Sequence, residues 1–264
     1  MKFSQIPYER IDIEALKEKL QNITAQLKNA ADFKEADAAF AAMNDCQGRT
    51  LLTQRTIAQI RRDINTKDEF YDGEMTYYNK VLPELQPLRK EWTMTLLESR
   101  YRGELEEKYG SVTFLNAELS LKTFRPELVE DLQKENALVM RYTKLIASAQ
   151  IPFEGETYTL SQLSPFKLDP DDARRLAAWT AEGQWYQRHG DELDEIYDEL
   201  VKLRDTMGRK LGYDGYTQLG YYRMTRNCYT EKEVEQFRQA VQRYVVPVAE
   251  KIYRRQAPAL CLEY

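Results

Sequence analysis

His189 is the single histidine of the sequence, in QWYQRHGDELDE, where Gly190 and Asp191 mark a helix end or a loop. Zinc hydrolysis from a helix needs two imidazoles one turn apart and a glutamate between them to take a proton from the metal-bound water. One imidazole does not meet that need. An exposed helix-end residue is a simpler reading of His189 than an isolated ligand or acid–base group.

Asp191, Glu192, Asp194, Glu195, Asp198 and Glu199 follow directly. Carboxylates at i, i+3 and i+4 converge on one helix face and can hold an oxygen-liganded metal. They interleave with Leu193, Ile196 and Leu200, however, so a solvated face of an amphipathic helix explains them better. Cys46, Cys228 and Cys261 are odd in number, far apart and without CxxC spacing, which predicts reduced thiols and neither a disulfide framework nor a cysteine metal site. Nucleophile-elbow, Walker A and GxGxxG patterns are absent.

The remaining candidate site is the aromatic–basic run Tyr221, Tyr222, Arg223, Arg226 and Tyr229. Guanidinium groups can hold a peptide carboxylate or carbonyl, and tyrosines supply rigid walls with hydroxyl donors. Arginine stems covering aromatic faces in a helix–helix contact give the same pattern, and packing is the stronger of the two readings. Glu135 interrupts an otherwise apolar stripe. It is either a functional carboxyl with a raised pKa or, more simply, a helix-edge or arginine-paired residue.

The elements that must position these groups read as helices. After Asp12 as N-cap, Ile13, Leu16, Leu20, Ile23 and Leu27 fall on one face. A second helix covers about Phe33 to Met43, and a third carries Ile57, Ile60 and Ile64. Thr66 with Glu69 forms a capping-box pattern for the next, which Pro83 and Pro87 bracket. Leu88, Trp92 and Leu96 predict a helix running toward a stop at Gly110. Pro126 opens a helix with the stripe Leu128, Leu132, Glu135, Val139, Tyr142 and Ile146. IPFEGETYTL, residues 151 to 160, predicts a small β-hairpin. Asp169-Pro170 reads as cap and first residue of a helix through Trp179. Leu193, Ile196, Leu200, Leu203 and Met207 form another, ended by Gly212. Thr230 and Glu233 cap a last helix with Val234, Phe237, Val241, Tyr244 and Val248 on one face, which Pro247 should kink or break.

The fold class is therefore all-α, with long antiparallel helices and one hairpin. Residues 1–110 are expected to form an N-terminal helical lobe and 111–264 a second helical region. With 42% hydrophobic residues the chain can bury a sizeable core. A net charge of −5 gives no basic excess for nucleic acid, and no apolar run reaches the ~20 residues of a membrane span. The N-terminus has charges where a secretory signal has an apolar core, so a cytoplasmic location is expected.

Leu193 to Val248, with LVKLRDTMGRKLGYDGYTQLGYYRMTRNCYTEKEVEQFR as its most specific part, resembles the M3 zinc metallopeptidases on the oligoendopeptidase F side. RRDINTKDEFYDGEMTYYNKVLPEL from Arg61, IPFEGETYTLSQL from Ile151 and DPDDARRLAAWTAEGQ from Asp169 resemble the same family in the same order. The resemblance implies the N-terminal part of a two-lobed helical shell around a channel that admits oligopeptides, with zinc in the full-length family enzyme. The family's His-Glu-x-x-His helix has no counterpart here, so no catalytic or metal residue transfers to this chain. It is expected to bind no zinc and cleave no peptide alone, and the tail, IYRRQAPALCLEY, reads as that of a fragment. Its expected partners are oligopeptides and the missing C-terminal catalytic region, or a second copy in that region's absence. The alternatives are a non-catalytic peptide-binding module derived from the family and a purely structural helical protein.

Overall fold

In a computed structural model that describes residues 3–259, Asp12 caps helix α1 (Ile13–Asn29), its carboxylate accepting from the amides of Glu14 and Ala15 at 2.9 and 3.1 Å. The stripe Ile13, Leu16, Leu20, Ile23 and Leu27 is buried, as its spacing predicts. Helix α2 (Phe33–Asn44) starts after Asp32 and buries Ala36, Ala39, Phe40 and Met43. It continues without a break through a π-helical stretch, Asp45–Leu52, into α3 (Thr53–Ile64).

On α3 the expected stripe is corrected. Ile57 is buried, but Ile60 and Ile64 are 39% and 75% exposed, and the inward face carries Ala58 and Arg62 instead. Arg62 turns toward α4 (Glu69–Val81), where Asp72 lies 3.7 Å away, and its charge is met at 3.0 Å by Asp63. The Thr66–Glu69 capping box is also corrected. Asp68 is the cap, accepting from the amides of Phe70 and Tyr71, because a turn closed by the Asp68 amide on the Asn65 carbonyl delays the helix by two residues. Asp68→Ala is expected to lose about 1 kcal/mol of stability, read as a lower urea midpoint at unchanged slope.

A 3₁₀ turn, Leu82–Leu85, leads into α5 (Gln86–Glu98), with Pro83 and Pro87 in first turns where no amide donor is needed. This helix ends at Glu98 and not at Gly110. Ser99 leaves the helical conformation and its hydroxyl accepts from the Tyr101 amide, so α6 (Arg102–Tyr109) begins separately. Gly110, at φ +88°, then separates α6 from α7 (Ser111–Leu121). Buried residues from Ile13 to Phe114 form one continuous cluster, with Tyr78, Leu85 and Leu105 fully enclosed. Each such side chain contributes about 2 kcal/mol.

After a 3₁₀ turn at Pro126–Leu128, α8 (Val129–Ala147) runs to the hairpin of β1 (Ile151–Phe153) and β2 (Glu156–Tyr158). Glu154 and Gly155, both at positive φ, form its two-residue turn. Leu128 and Glu135 of the α8 stripe are buried, whereas Val139 and Tyr142 are exposed. Short α9 (Leu160–Leu163) is held by a Thr159–Gln162 capping box. The cap of α10 (Asp172–Arg188) is Asp171, two residues after the expected one, because Asp169 is engaged with the Asp171 amide and Arg174.

Helix α11 (Gly190–Lys210) ends where Gly212, at φ +90°, donates its amide to Arg209 while Tyr213 donates to Gly208. Then come α12 (Tyr216–Arg223) and α13 (Glu231–Ala240), the latter with the expected Thr230–Glu233 box. A π-helical stretch, Val241–Val245, joins α13 to α14 (Val246–Ala259). Pro247 thus lies in the first turn of α14, and the wider turn before it accommodates the ring and the missing donor. Cys261 and the last residues of the tail lie outside the described residues.

Candidate functional site

Glu135 sits on the buried side of α8, its side chain 4% exposed, and receives two guanidinium groups. Arg204 of α11 donates from Nε to Oε1 at 2.7 Å. Arg223, the last residue of α12, donates to Oε1 at 3.1 Å and to Oε2 at 2.7 Å, and also to the Tyr216 hydroxyl at 3.2 Å. Burial pushes the Glu135 carboxyl up, but Arg223 and then Arg204 outweigh it and hold the pKa below the ordinary 4.5. The arginine-paired reading of Glu135 is the one the structure bears. A carboxylate so held stays ionised and is suited to fixing α8, α11 and α12 together rather than to exchanging protons.

Arg223 also lines a cavity of about 590 Å³ formed by the π-helical stretch, the α4–α5 junction, α8 and the end of α12. Gln47, Asn79, Asn136, Arg55 and Arg89 add polar groups to its wall. Such a volume falls in the range of ligand pockets. Arg55 and Arg89 were not singled out by sequence reasoning. The signal was present, since each lies three residues before a buried Ala58 or Trp92 and therefore on an inward helix face.

Three other members of the aromatic–basic run, Tyr222, Arg226 and Tyr229, line a second cavity of about 380 Å³ with Lys122 and Glu118, while Tyr221 is not in its wall. Arg226 is placed over the rings of Tyr221 and Tyr229, at 4.5 and 5.6 Å from their centroids. Tyr222 packs edge-on to Tyr213 beneath the Lys122 ammonium. Arg223 and Arg226 therefore face different spaces, and the run is not a single site.

His189 joins α10 to α11, its Nδ1 2.8 Å from the Trp185 carbonyl and its ring stacked on Trp185. In the acidic run, Glu192, Glu195 and Glu199 gather around Arg141, and Asp198 pairs with Lys202 on the helix surface. Among the described residues no group of three histidines, cysteines or carboxylates is placed to hold a metal ion. Among the described residues the donor set does not fit the zinc that the resemblance implies. Cys46 is buried, which raises its thiol pKa, and Cys228 is exposed and free. No helix among the described residues is long and apolar enough to cross a membrane.

Residues 3–124 match the family description Peptidase M3 N-terminal domain. No curated protein matches the sequence. Among solved structures, PZ peptidase A with an inhibitor superposes with a TM-score of 0.93 at 40% identity, over 97% of this chain and 46% of its own. A structure of oligoendopeptidase F at 3.1 Å gives 0.94 at 40% identity, over 100% and 46%. An oligoendopeptidase F from Bacillus anthracis str. Ames gives 0.94 at 37% identity, over 100% and 48%. The chain spans less than half the length of these relatives. With the ordered segments, the helical architecture and the matched domain in agreement, the chain belongs to the M3 peptidase family, on its oligoendopeptidase F side, and carries the family's N-terminal portion.

Proposed function

We propose that this chain is the N-terminal helical part of a cytoplasmic zinc-dependent oligoendopeptidase that hydrolyses internal bonds of oligopeptides. The observation that carries the reading is superposition along the whole chain, at 37 to 40% identity, on peptidases. Residues 1–110 would form the outer helical lobe and 111–264 the approach to the catalytic region. The zinc ligands and the glutamate base would lie in that further region, because the donor groups among the described residues do not fit the metal.

An exposed apolar face supports a partner surface. Phe237, Tyr244, Val248, Ile252 and Tyr253 are all at least half exposed along α13, the π-helical stretch after it and α14. An uncovered apolar face of this kind fits the catalytic region or, in its absence, a second copy. The reading as a non-catalytic peptide-binding module is favoured by one feature, the arginine-lined cavity.

The purified chain is expected to leave a fluorogenic oligopeptide uncut and to hold no stoichiometric zinc. The reading frame past the Tyr264 codon is expected to encode His-Glu-x-x-His on a helical pattern. Cleavage by this chain that a chelator abolishes would refute its inactivity. A frame that stops without such a helix would leave only the binding module.

A further inference from the structure

Four guanidinium groups lie in or beside the larger cavity, and only two of them have a counter-charge. Arg204 and Arg223 share Glu135. Arg55 on α3 and Arg89 on α5 have no carboxylate within ion-pairing distance among the described residues. The Nε atoms of both are shielded from solvent and make no hydrogen bond. No acidic residue lines the cavity at all.

This arrangement is costly as it stands. A guanidinium taken out of water needs acceptors in the plane of its fork, and two of them near each other repel. Burial, and then the charge of Arg55, lower the pKa of Arg89, though an arginine stays protonated at neutral pH. Surface arginines avoid both costs by turning into water. Here α3 and α5 hold the two stems on inward faces, three residues from buried Ala58 and Trp92.

The rest of the wall suits an extended polar chain. Asn79, Asn136, Gln47 and Gln86 offer amide donors and acceptors, and Leu51, Leu82 and Leu132 offer apolar surface. The wall on the α3 side is the π-helical stretch Asp45–Leu52, with Gly48 in the lining. Interruptions of this kind in an otherwise continuous helix recur where a helix has been reshaped around a ligand.

We propose that Arg55 and Arg89 form a carboxylate-binding subsite that holds the acidic end of an oligopeptide lying in this cavity. The inference rests on the peptide-binding element of the proposed function. A carboxylate accepts two parallel N–H bonds from one guanidinium and can bridge to a second. It supplies the counter-charge that the fold omits. The free C-terminus and an acidic side chain offer the same chemistry, and a peptide ended by an amide offers neither.

The test is calorimetric titration of the 264-residue chain with three versions of one neutral, N-acetylated pentapeptide. One has a free C-terminal carboxylate, one a C-terminal amide, and one an amide with a single internal glutamate. The free acid is expected to bind at least tenfold more tightly than the plain amide. Recovery of that tenfold by the glutamate-bearing amide would assign the site to acidic side chains, and its failure to recover would assign it to the C-terminus. The double variant R55Q/R89Q is expected to erase the difference while unfolding at an equal or higher temperature, because it removes two partly buried charges that have no carboxylate partner among the described residues. R89K, which keeps the charge without the fork, is expected to retain only part of the preference.

Equal affinity for the acid and both amides, or an acid preference that survives in R55Q/R89Q, overturns the subsite and leaves peptide binding intact. Failure of all three peptides to bind overturns the subsite together with the peptide-binding reading. A double variant that unfolds at lower temperature shows the two arginines to be structural, and overturns the subsite as well.

Discussion

Glu135→Leu is expected to lower folding stability by about 3 kcal/mol at neutral pH, the midpoint of urea unfolding falling while the slope stays constant. The side chain is of similar volume, so packing changes little, but Arg204 and Arg223 lose the carboxylate between them. Removing one partner of a buried ionic group costs ~3–5 kcal/mol, because the other charges remain desolvated and unpaired. The arginine side chains here are 36% and 31% exposed, and water screens them in part, so the lower end applies. Replacing Arg204 and Arg223 by methionine in the same chain is expected to recover most of the loss.

The pH dependence has a definite sign. The folded-state pKa of Glu135 lies below 4.5, so its contribution is fully present above the unfolded value and is lost as pH falls through the folded one. The gap between wild type and Glu135→Leu should be constant from neutral pH down to about 5 and close below 4.5. A gap that persists unchanged at pH 3 would mean that packing, and not charge, holds this residue.

Gly208→Ala is expected to lose about 3 kcal/mol, although alanine is favoured over glycine by about 1 kcal/mol inside a helix. A Cβ on Gly208 would lie 2.1 Å from the Gly215 carbonyl oxygen, 2.6 Å from its carbon and 3.1 Å from the Tyr216 Cα. These are backbone atoms, so no rotamer change relieves the overlap, and the start of α12 must move away from α11. The chain returns so closely only because Gly212 and Gly215 adopt φ of +90° and +96°. Moving α12 also displaces Arg223 from Glu135. The double variant Gly208→Ala/Glu135→Leu should therefore lose less than the two single losses combined, and strict additivity in urea unfolding would show the two contacts to be independent.

The elements were legible wherever periodicity and caps acted within one turn. Asp12, the Thr230–Glu233 box, Gly212 and the hairpin turn all act locally, between residues no more than about four apart. Readings failed where a neighbouring helix decided the matter. Ile60 and Ile64 have the spacing of a core stripe, yet α3 turns Ala58 and Arg62 inward because Arg62 meets charges on α3 and α4. The candidate run was likewise visible as a cluster of residue types, but not as two groups facing two cavities.

What the residues determined alone was the all-α class, the order of the helices and the likeness to one peptidase family, since helical periodicity and family segments are properties of short stretches of chain. The pairing of charges needed the tertiary structure. Glu135 meets Arg204 and Arg223 across 69 and 88 residues, and nothing local distinguishes them from Arg55 and Arg89, which meet no carboxylate. An ion pair depends on distance in space and on the rotation of each helix about its axis, and both follow from how the helices pack.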